Sequence, residues 1–178
     1  MKRLFATLLL LACTLPAAAG SSFSFGGETY VQRFEVKGRG PNAQVEFGLA
    51  DETLKGWTKL VTVHAFTKNG NDAMRAAATL AKAIRERHKG AKYKVITNPK
   101  TSEAIIDFLI PVPNSDLMEF NVFKYAPAGN ELVALQFAQR VKLFEIDGKE
   151  LADIRKRAID EMANYEMAPV KAFFGKTQ

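Results

Sequence analysis

Residues 131–143 have the sequence ELVALQFAQRVKL, in which large apolar side chains alternate with small or polar ones. This period of two is typical of a β-strand, because successive side chains point to opposite faces of a sheet. The segment therefore predicts a long strand with one apolar face. That face carries Val133, Leu135, Phe137, Val141 and Leu143, and the other carries Ala134, Gln136, Ala138, Arg140 and Lys142.

Further strand patterns precede this segment along the chain. Three of them lie directly before it, at residues 92–97, 103–110 and 117–125, and turns that contain Pro and Asn separate them. Linkers this short favour antiparallel neighbours, because a parallel crossover needs about a dozen residues or more. Three earlier strands are predicted at residues 28–37, 44–49 and 59–67.

Two segments have the helical period of 3.6 residues. Residues 72–89 begin at Asp72, a favourable N-cap, and end before Gly90. The second helix begins near Asp147, where Glu150 follows three residues later as in a capping box, and Pro169 bounds it. The apolar stripes consist of Ala73, Ala77, Leu80, Ala81 and Ile84 in the first helix and Leu151, Ile154, Ala158, Met162 and Tyr165 in the second.

The order of elements predicts the fold class. The order is β-β-β-α-β-β-β-β-α, and residues 59–67 have apolar side chains on both faces, so we expect that strand to be covered on both sides. One mostly antiparallel sheet packed by two long helices buries such faces economically. We therefore predict a single α+β domain over residues 28–178.

The N-terminal residues have the pattern of a signal peptide. Lys2 and Arg3 precede an uncharged, Leu-rich stretch, and Ala17-Ala18-Ala19 suits a signal peptidase. We expect cleavage between Ala19 and Gly20, a flexible leader over residues 20–27, and a periplasmic or secreted protein. A second hypothesis is lipidation at Cys13, since residues 10–13 resemble a lipobox.

Composition limits the kinds of site that the chain can hold. It has 178 residues, a formal net charge of +6, one Cys and two His, so it lacks a disulfide framework and a multi-Cys metal site. We predict no metal, no cofactor and no nucleic-acid partner. We also predict that no segment after the signal peptide spans a membrane, because the most apolar run, residues 104–112, contains Asp107.

Two single residues are candidate ligand or partner contacts. Trp57, the only Trp, suits either stacking on a ligand or closing one end of the sheet. His64 lies within a predicted strand, where it suits either a hydrogen bond in the interior or a general base. The catalytic alternative needs a cleft that collects His64, Trp57 and an acid such as Glu46 or Asp107. Asp107 otherwise suits an outward position on a strand or the protection of a sheet edge.

The densest group of basic side chains is the third candidate. It favours contact with a phosphate or another polyanion, such as an anionic lipid headgroup or a glycan. Cations are also favoured at a helix C-terminus by the helix macrodipole, which explains the same pattern without a ligand. The group consists of Arg85, Arg87, Lys89, Lys92 and Lys94.

Residues 45–63 resemble a segment of bacterial exported proteins of unknown function. The likeness rests on Glu52-Thr53, Trp57-Thr58 and the following strand, although Asp51 stands where Gly is usual and Gly56 where Asn is usual. The order of elements also resembles the PsbP-like α/β/α sandwich, which several accessory and chaperone-like proteins use. That resemblance implies a binding or assembly role without catalysis.

The leading functional prediction is an exported, non-enzymatic accessory or binding domain of the bacterial envelope, with an unknown protein or envelope ligand as its partner. One alternative is a small periplasmic enzyme with a carboxylate-centred or His-centred site. The other is weak contact with anionic lipid or glycan through the basic helix end.

Overall fold

The computed structural model describes residues 21–36, 42–53, 55–67 and 70–175. The predicted signal peptide over residues 1–19, its predicted cleavage site and Cys13 lie outside these residues. The strands are β1 (Ser22–Phe25), β2 (Glu28–Val36), β3 (Asn42–Gly48), β4 (Lys59–Phe66), β5 (Tyr93–Asn98), β6 (Glu103–Pro111), β7 (Leu117–Ala128) and β8 (Glu131–Lys142). The helices are α1 (Ala73–Arg87), α2 (Gly148–Asn164) and α3 (Ala168–Gly175).

The eight strands form one sheet in the order β1-β2-β3-β4-β8-β7-β6-β5. Each neighbouring pair is antiparallel, including β4 with β8, the pair that joins the two halves of the sheet. The α+β fold with one antiparallel sheet is therefore confirmed. Both helix N-caps are also observed, since the Asp72 carboxylate accepts a hydrogen bond from the Arg75 amide at 2.8 Å and Asp147 accepts one from Glu150 at 2.7 Å.

The prediction of a flexible leader over residues 20–27 is wrong for the part that the structure describes. Ser22–Phe25 form β1, which pairs with β2 across a turn where Gly26 and Gly27 have φ of 59° and 78°. Phe23 and Phe25 are buried in the core, and both rings contact Tyr165. The alternation Ser-Phe-Ser-Phe is itself a strand period, and the aromatic contacts hold the segment in the sheet.

The prediction of two helices is also incomplete. Pro169 lies beyond the end of α2 as expected, but it also lies in the first turn of α3, where a proline costs no hydrogen bond because those amides have no partner within the helix. Val170 is fully buried and Lys171 donates its amide to the Met167 carbonyl at 3.0 Å. The α3 helix thus extends the cover that α2 provides.

The two faces of the sheet are covered unequally. On one face, the α2 side, α2 and α3 pack over a large cluster that includes Phe47, Val61, Val122, Leu135 and Phe137. On the other face, the α1 side, α1 packs mainly over β5, β6 and β7. Its contacts are made by small residues, which let the helix approach the sheet closely. These residues are Ala73, Ala77 and Ala81, with Ile84 at the end of the stripe.

The unequal cover follows from dimensions. Strands lie about 4.8 Å apart, so eight of them span about 34 Å, whereas a helix with its side chains is about 10 Å wide. One helix therefore covers two or three strands. In the part of the chain that the structure describes, β2, β3 and most of β4 have no helix over them on the α1 side. The prediction that residues 59–67 are covered on both sides is thus only half correct.

Two buried charged side chains hold α2 against the sheet. The Asp107 carboxylate, 3 % exposed, accepts two hydrogen bonds from the Arg155 guanidinium, at 2.6 Å from Nε and 3.0 Å from Nη2. Lys124, 5 % exposed, lies 3.3 Å from the Glu103 carboxylate. Its Nζ also donates to the carbonyls of Ala163 and Tyr165, at the C-terminus of α2, where the macrodipole favours a cation.

The outward or edge-protecting interpretation of Asp107 is wrong. The β6 strand lies inside the sheet, and its register places Asp107 opposite Val122 on the α2 side. The partner Arg155 is 48 positions away in the sequence, so the local pattern of residues 104–112 does not contain the reason for the charge.

We predict that Arg155→Leu lowers the free energy of unfolding by about 2 kcal/mol, because a buried carboxylate loses both of its donors. Leu and Arg have similar helix propensities, so the helix itself is little changed. Chemical denaturation measures the difference. The matched control is Lys156→Leu, which removes an exposed ion pair to Asp160 and should change stability by less than about 0.5 kcal/mol. Equal effects of the two variants would contradict the assignment.

Candidate functional site

A groove of about 580 Å³ lies between α1 and the sheet, at the boundary between the covered and the open part of the α1 side. Phe66 of β4 and Tyr125 of β7 form its floor. Its helical wall consists of Ala76, Thr79, Leu80 and Ala83, and Gly70 and Arg75 lie at one end. The groove is mainly apolar and has one cationic end.

Four rings pack side by side under and beside the groove, and we call them the aromatic floor: His64, Phe66, Phe123 and Tyr125. His64 stacks on Phe66 and Phe123 with ring centroids 5.8 and 5.7 Å apart. Tyr125 contacts Phe123 at 5.8 Å and Phe66 at 6.0 Å. Burial raises the pKa of the Tyr125 hydroxyl above its ordinary value. Because each ring restricts its neighbours, the floor is a preformed surface.

A chain of hydrogen-bonded polar side chains, the polar row, continues from the aromatic floor across the α1 side. His64 Nε2 lies 3.0 Å from Gln136 Oε1, and Gln136 Nε2 donates to Asn121 Oδ1 at 2.8 Å. Asn121 Nδ2 then donates to Glu119 Oε1 at 3.0 Å, and Arg140 Nε donates to Glu119 Oε2 at 3.4 Å. These residues alternate with core residues along β4, β7 and β8, so the strand period places them on one face.

Trp57 lies at the far end of the polar row. The Arg140 guanidinium is 3.7 Å from the centroid of the indole ring, in the geometry of a cation–π contact. The Arg140 amide also donates to the Thr58 carbonyl at 2.8 Å, which holds this loop at the end of β8. Trp57 and His64 therefore lie on the same side of the sheet and are joined by the polar row.

His64 is neutral at physiological pH. Burial lowers its pKa to about 4, and the hydrogen bond with Gln136 offsets this only in part. Since Gln136 Oε1 is an acceptor, Nε2 of His64 carries the proton and Nδ1 is the acceptor. A general base works best when its pKa is near the working pH, so this environment favours a positioning role over proton transfer.

The acids named for a catalytic cleft fall on opposite sides of the sheet. Glu46 lies on the α1 side, as His64 does, and burial raises the pKa of its carboxyl. Its Oε1 accepts a hydrogen bond from Gln44 at 3.2 Å. Asp107 lies on the α2 side, paired with Arg155. The structure thus brings Trp57, His64 and Glu46 to one face, without Asp107.

The predicted basic group occupies a different part of the molecule. Arg85 and Arg87 lie in the last turn of α1 and are exposed, as is Lys89. Lys92 lies directly before β5 and Lys94 is its second residue, and β5 is the edge strand farthest from β1. The basic group is therefore separate from the polar row.

Sequence reasoning missed the groove and its cationic end. Phe66 lies within residues 59–67, for which the sequence predicts apolar side chains on both faces. That alternating pattern shows that an apolar face exists but does not show how far a helix covers it. The only local signal was the run of small residues in α1, since Ala76 and Ala83 lie beside the buried stripe and leave room along one flank of the helix.

Within residues 21–36, 42–53, 55–67 and 70–175, no group of three His, Cys, Asp or Glu side chains is placed to hold a metal ion. No helix over the same residues is long and apolar enough to cross a membrane.

A protein-family model covers residues 17–168, a range that includes all eight strands, α1 and α2. No curated protein matches the chain.

We predict that His64 makes the folded protein less stable in acid. Its pKa is about 4 in the folded protein against an ordinary 6.5, so the unfolded chain takes up a proton first as the pH falls. The free energy of unfolding should therefore drop between pH 6.5 and pH 4, by at most about 3 kcal/mol, and this loss is complete below the lower value.

Denaturation of the protein and of His64→Gln above pH 6.5 and near pH 4 measures the effect. The variant keeps a hydrogen-bonding side chain but does not titrate, so its stability should fall less. The raised pKa of Glu46 acts in the opposite direction, since a carboxyl that is protonated more readily in the folded state gains stability as the pH falls. Because Glu46 is present in both proteins, their difference isolates His64, and equal pH profiles would refute the prediction.

Proposed function

This chain belongs to an uncharacterised protein family, and we propose from the geometry of its site that it is a non-enzymatic binding domain of the bacterial envelope. Its ligand is a small amphipathic anion, with its apolar part in the groove beside α1 and its charged end at Arg75. The observation that carries the proposal is the groove itself, which exists because α1 covers only part of the sheet.

The size and lining of the groove suit the apolar part of such a ligand. Small-molecule sites commonly have volumes of about 300–1,000 Å³, and the groove has about 580 Å³. Phe66, Tyr125 and Leu80 supply apolar surface. Each 100 Å² of apolar ligand surface buried there contributes about 2.5 kcal/mol to binding before the entropy of association is subtracted.

The end of the groove near Arg75 suits an anion. The Arg75 Nε lies 3.9 Å from the Asp72 carboxylate, and the Arg75 side chain is 70 % exposed, so this ion pair is weak and the guanidinium is accessible. Arg75 lies in the first turn of α1, where the macrodipole also favours negative charge. A guanidinium binds a carboxylate or phosphate through two parallel hydrogen bonds.

The polar row supports the proposal from the other side of the groove. Its side chains are held by one another, so they present fixed hydrogen-bonding groups to any polar substituent that extends over the open face. Gln136, which is only partly buried, has two amide hydrogens, and the hydrogen bonds of the row use one of them.

The location in the envelope rests on the residues that precede the described part of the chain. Lys2, Arg3 and the Leu-rich stretch have the pattern of an export signal. An envelope compartment is bounded by membranes, whose lipids yield amphipathic anions on hydrolysis. The resemblance to PsbP-like accessory proteins agrees with a binding role. The proposal includes both this resemblance and the export of the protein.

We predict that the protein without residues 1–19 binds decanoate and that Ala83→Phe weakens binding about tenfold or more, because the new ring fills the groove. Isothermal titration calorimetry below the critical micelle concentration measures the affinity. The matched control is Ala78→Phe, the same substitution at an exposed position of α1 that does not line the groove. An equal loss in both variants, or none in either, would refute the groove as the site.

A separate experiment tests the cationic end of the groove, near Arg75. Arg75→Gln should weaken decanoate binding about fivefold and should leave the weaker binding of decylammonium unchanged or improved. Lys82→Gln, an exposed substitution on the same helix, is the control. If decylammonium binds as tightly as decanoate to the unaltered protein, the ligand is not an anion.

A further inference from the structure

The edge strand β5 has an unusual surface for a short strand. It is the last strand of the sheet and has six residues, nearly all of them exposed. Two large apolar side chains, Tyr93 at 38 % and Ile96 at 37 %, are among the few exposed ones in the described residues. An edge strand also carries backbone amides and carbonyls that are available to another strand.

The register shows which peptide groups of β5 point outward. The Leu109 amide donates to the Lys92 carbonyl at 3.4 Å, so the backbone of Lys92 directs its hydrogen-bonding groups toward β6. In an antiparallel pair this orientation alternates along the strand, so Lys94 and Ile96 also direct their peptide groups toward β6. The peptide groups of Tyr93, Val95 and Thr97 therefore point to the free edge.

On the α2 side, β5 borders a second groove of about 500 Å³. Leu109, Phe120 and Leu151 give it an apolar floor, and Lys92 and Lys94 lie along its rim. Ile96 continues the same row of side chains, since alternate residues of a strand share a face.

The rim of this groove is positively charged. Asp107 lines the groove but is already neutralised by Arg155, and neither Lys92 nor Lys94 forms an ion pair with another described residue. Only the residues from His88 to Lys92 separate the end of α1 from β5, so Arg87 and Lys89 add positive charge at the same corner.

We propose that the free edge of β5 binds an extended acidic segment of a partner protein, which adds to the sheet as a ninth strand. Main-chain hydrogen bonds to Tyr93, Val95 and Thr97 would supply affinity, and alternate side chains would supply specificity. On the side of the added strand that faces the second groove, the partner segment would carry three side chains. Two are carboxylates, opposite Lys92 and Lys94, and one is apolar, opposite Ile96. A lipid surface would use the same cations but not the outward amides, which favours a peptide strand.

The probe is a fluorescent peptide that has Ile, Glu and Glu at alternate positions and Thr at the positions between them. A second peptide has the reversed sequence, because the added strand can run in either direction. Fluorescence anisotropy measures its affinity for the protein without residues 1–19. Binding should be detectable for one of the two directions. The corresponding peptide with Lys in place of Glu should bind at least about fivefold more weakly.

Two variants separate strand addition from charge attraction. Thr97→Pro removes one outward amide and leaves the side of β5 that pairs with β6 intact, so it should weaken binding, whereas Thr97→Val should not. The double change Lys92→Glu and Lys94→Glu should reverse the preference, so that the Lys peptide binds better than the Glu peptide. The changes Lys55→Glu and Lys171→Glu, both at exposed positions outside the groove, are the control.

Amide hydrogen exchange gives a direct readout. The bound peptide should slow exchange at the Tyr93, Val95 and Thr97 amides. The proposal is overturned if the Glu peptide does not bind, or if Thr97→Pro binds it as tightly as Thr97→Val. It is also overturned if phosphatidylglycerol vesicles bind and displace the peptide while the three amides stay unprotected. Because β5 and the groove beside α1 are separate, failure here leaves decanoate binding untouched.

Discussion

The structure depends on a mismatch between the width of its sheet and the number of helices on one side of it. In the residues that the structure describes, eight strands present two faces of equal area, and two helices pack on one face while one packs on the other. Beyond the reach of the single helix, the other face carries several polar side chains. Along β4, Val61 and Val63 point toward α2, whereas Thr62 and His64 point toward the α1 side. The groove beside α1 marks the boundary between the two kinds of surface.

The α2 side supplies the rigidity on which that boundary depends. Its core is continuous from β1 to β7, and Asp107 and Lys124 attach α2 to the sheet through hydrogen bonds to Arg155 and to the last carbonyls of the helix. Buried charges of this kind are costly unless fully paired, so they allow few alternative placements of the helix. The binding surfaces lie at the margins of this core, one beside α1 and one at the β5 edge.

The polar row shows how an open sheet face remains ordered. Thr62 and Asn121 on this face are almost fully buried among neighbouring side chains. The hydrogen bonds of Asn121 to Gln136 and Glu119 satisfy an amide that would otherwise be costly to bury. The same crowding keeps His64 neutral and raises the pKa of the Glu46 carboxyl.

The amino-acid sequence by itself determined the local elements. The alternation in residues 131–143 is the pattern of β8, and Asp72 and Asp147 cap the helices where their side chains predict. It also showed Trp57 and His64 to be unusual, although not that the polar row joins them. Only the tertiary structure decided three other features. These are the pairing of Asp107 with Arg155, the addition of Ser22–Phe25 to the sheet, and the point at which α1 stops covering the sheet. The physical reason is that a periodic pattern records that a face is to be buried, whereas the element that buries it, and how far it reaches, depends on residues distant in the chain.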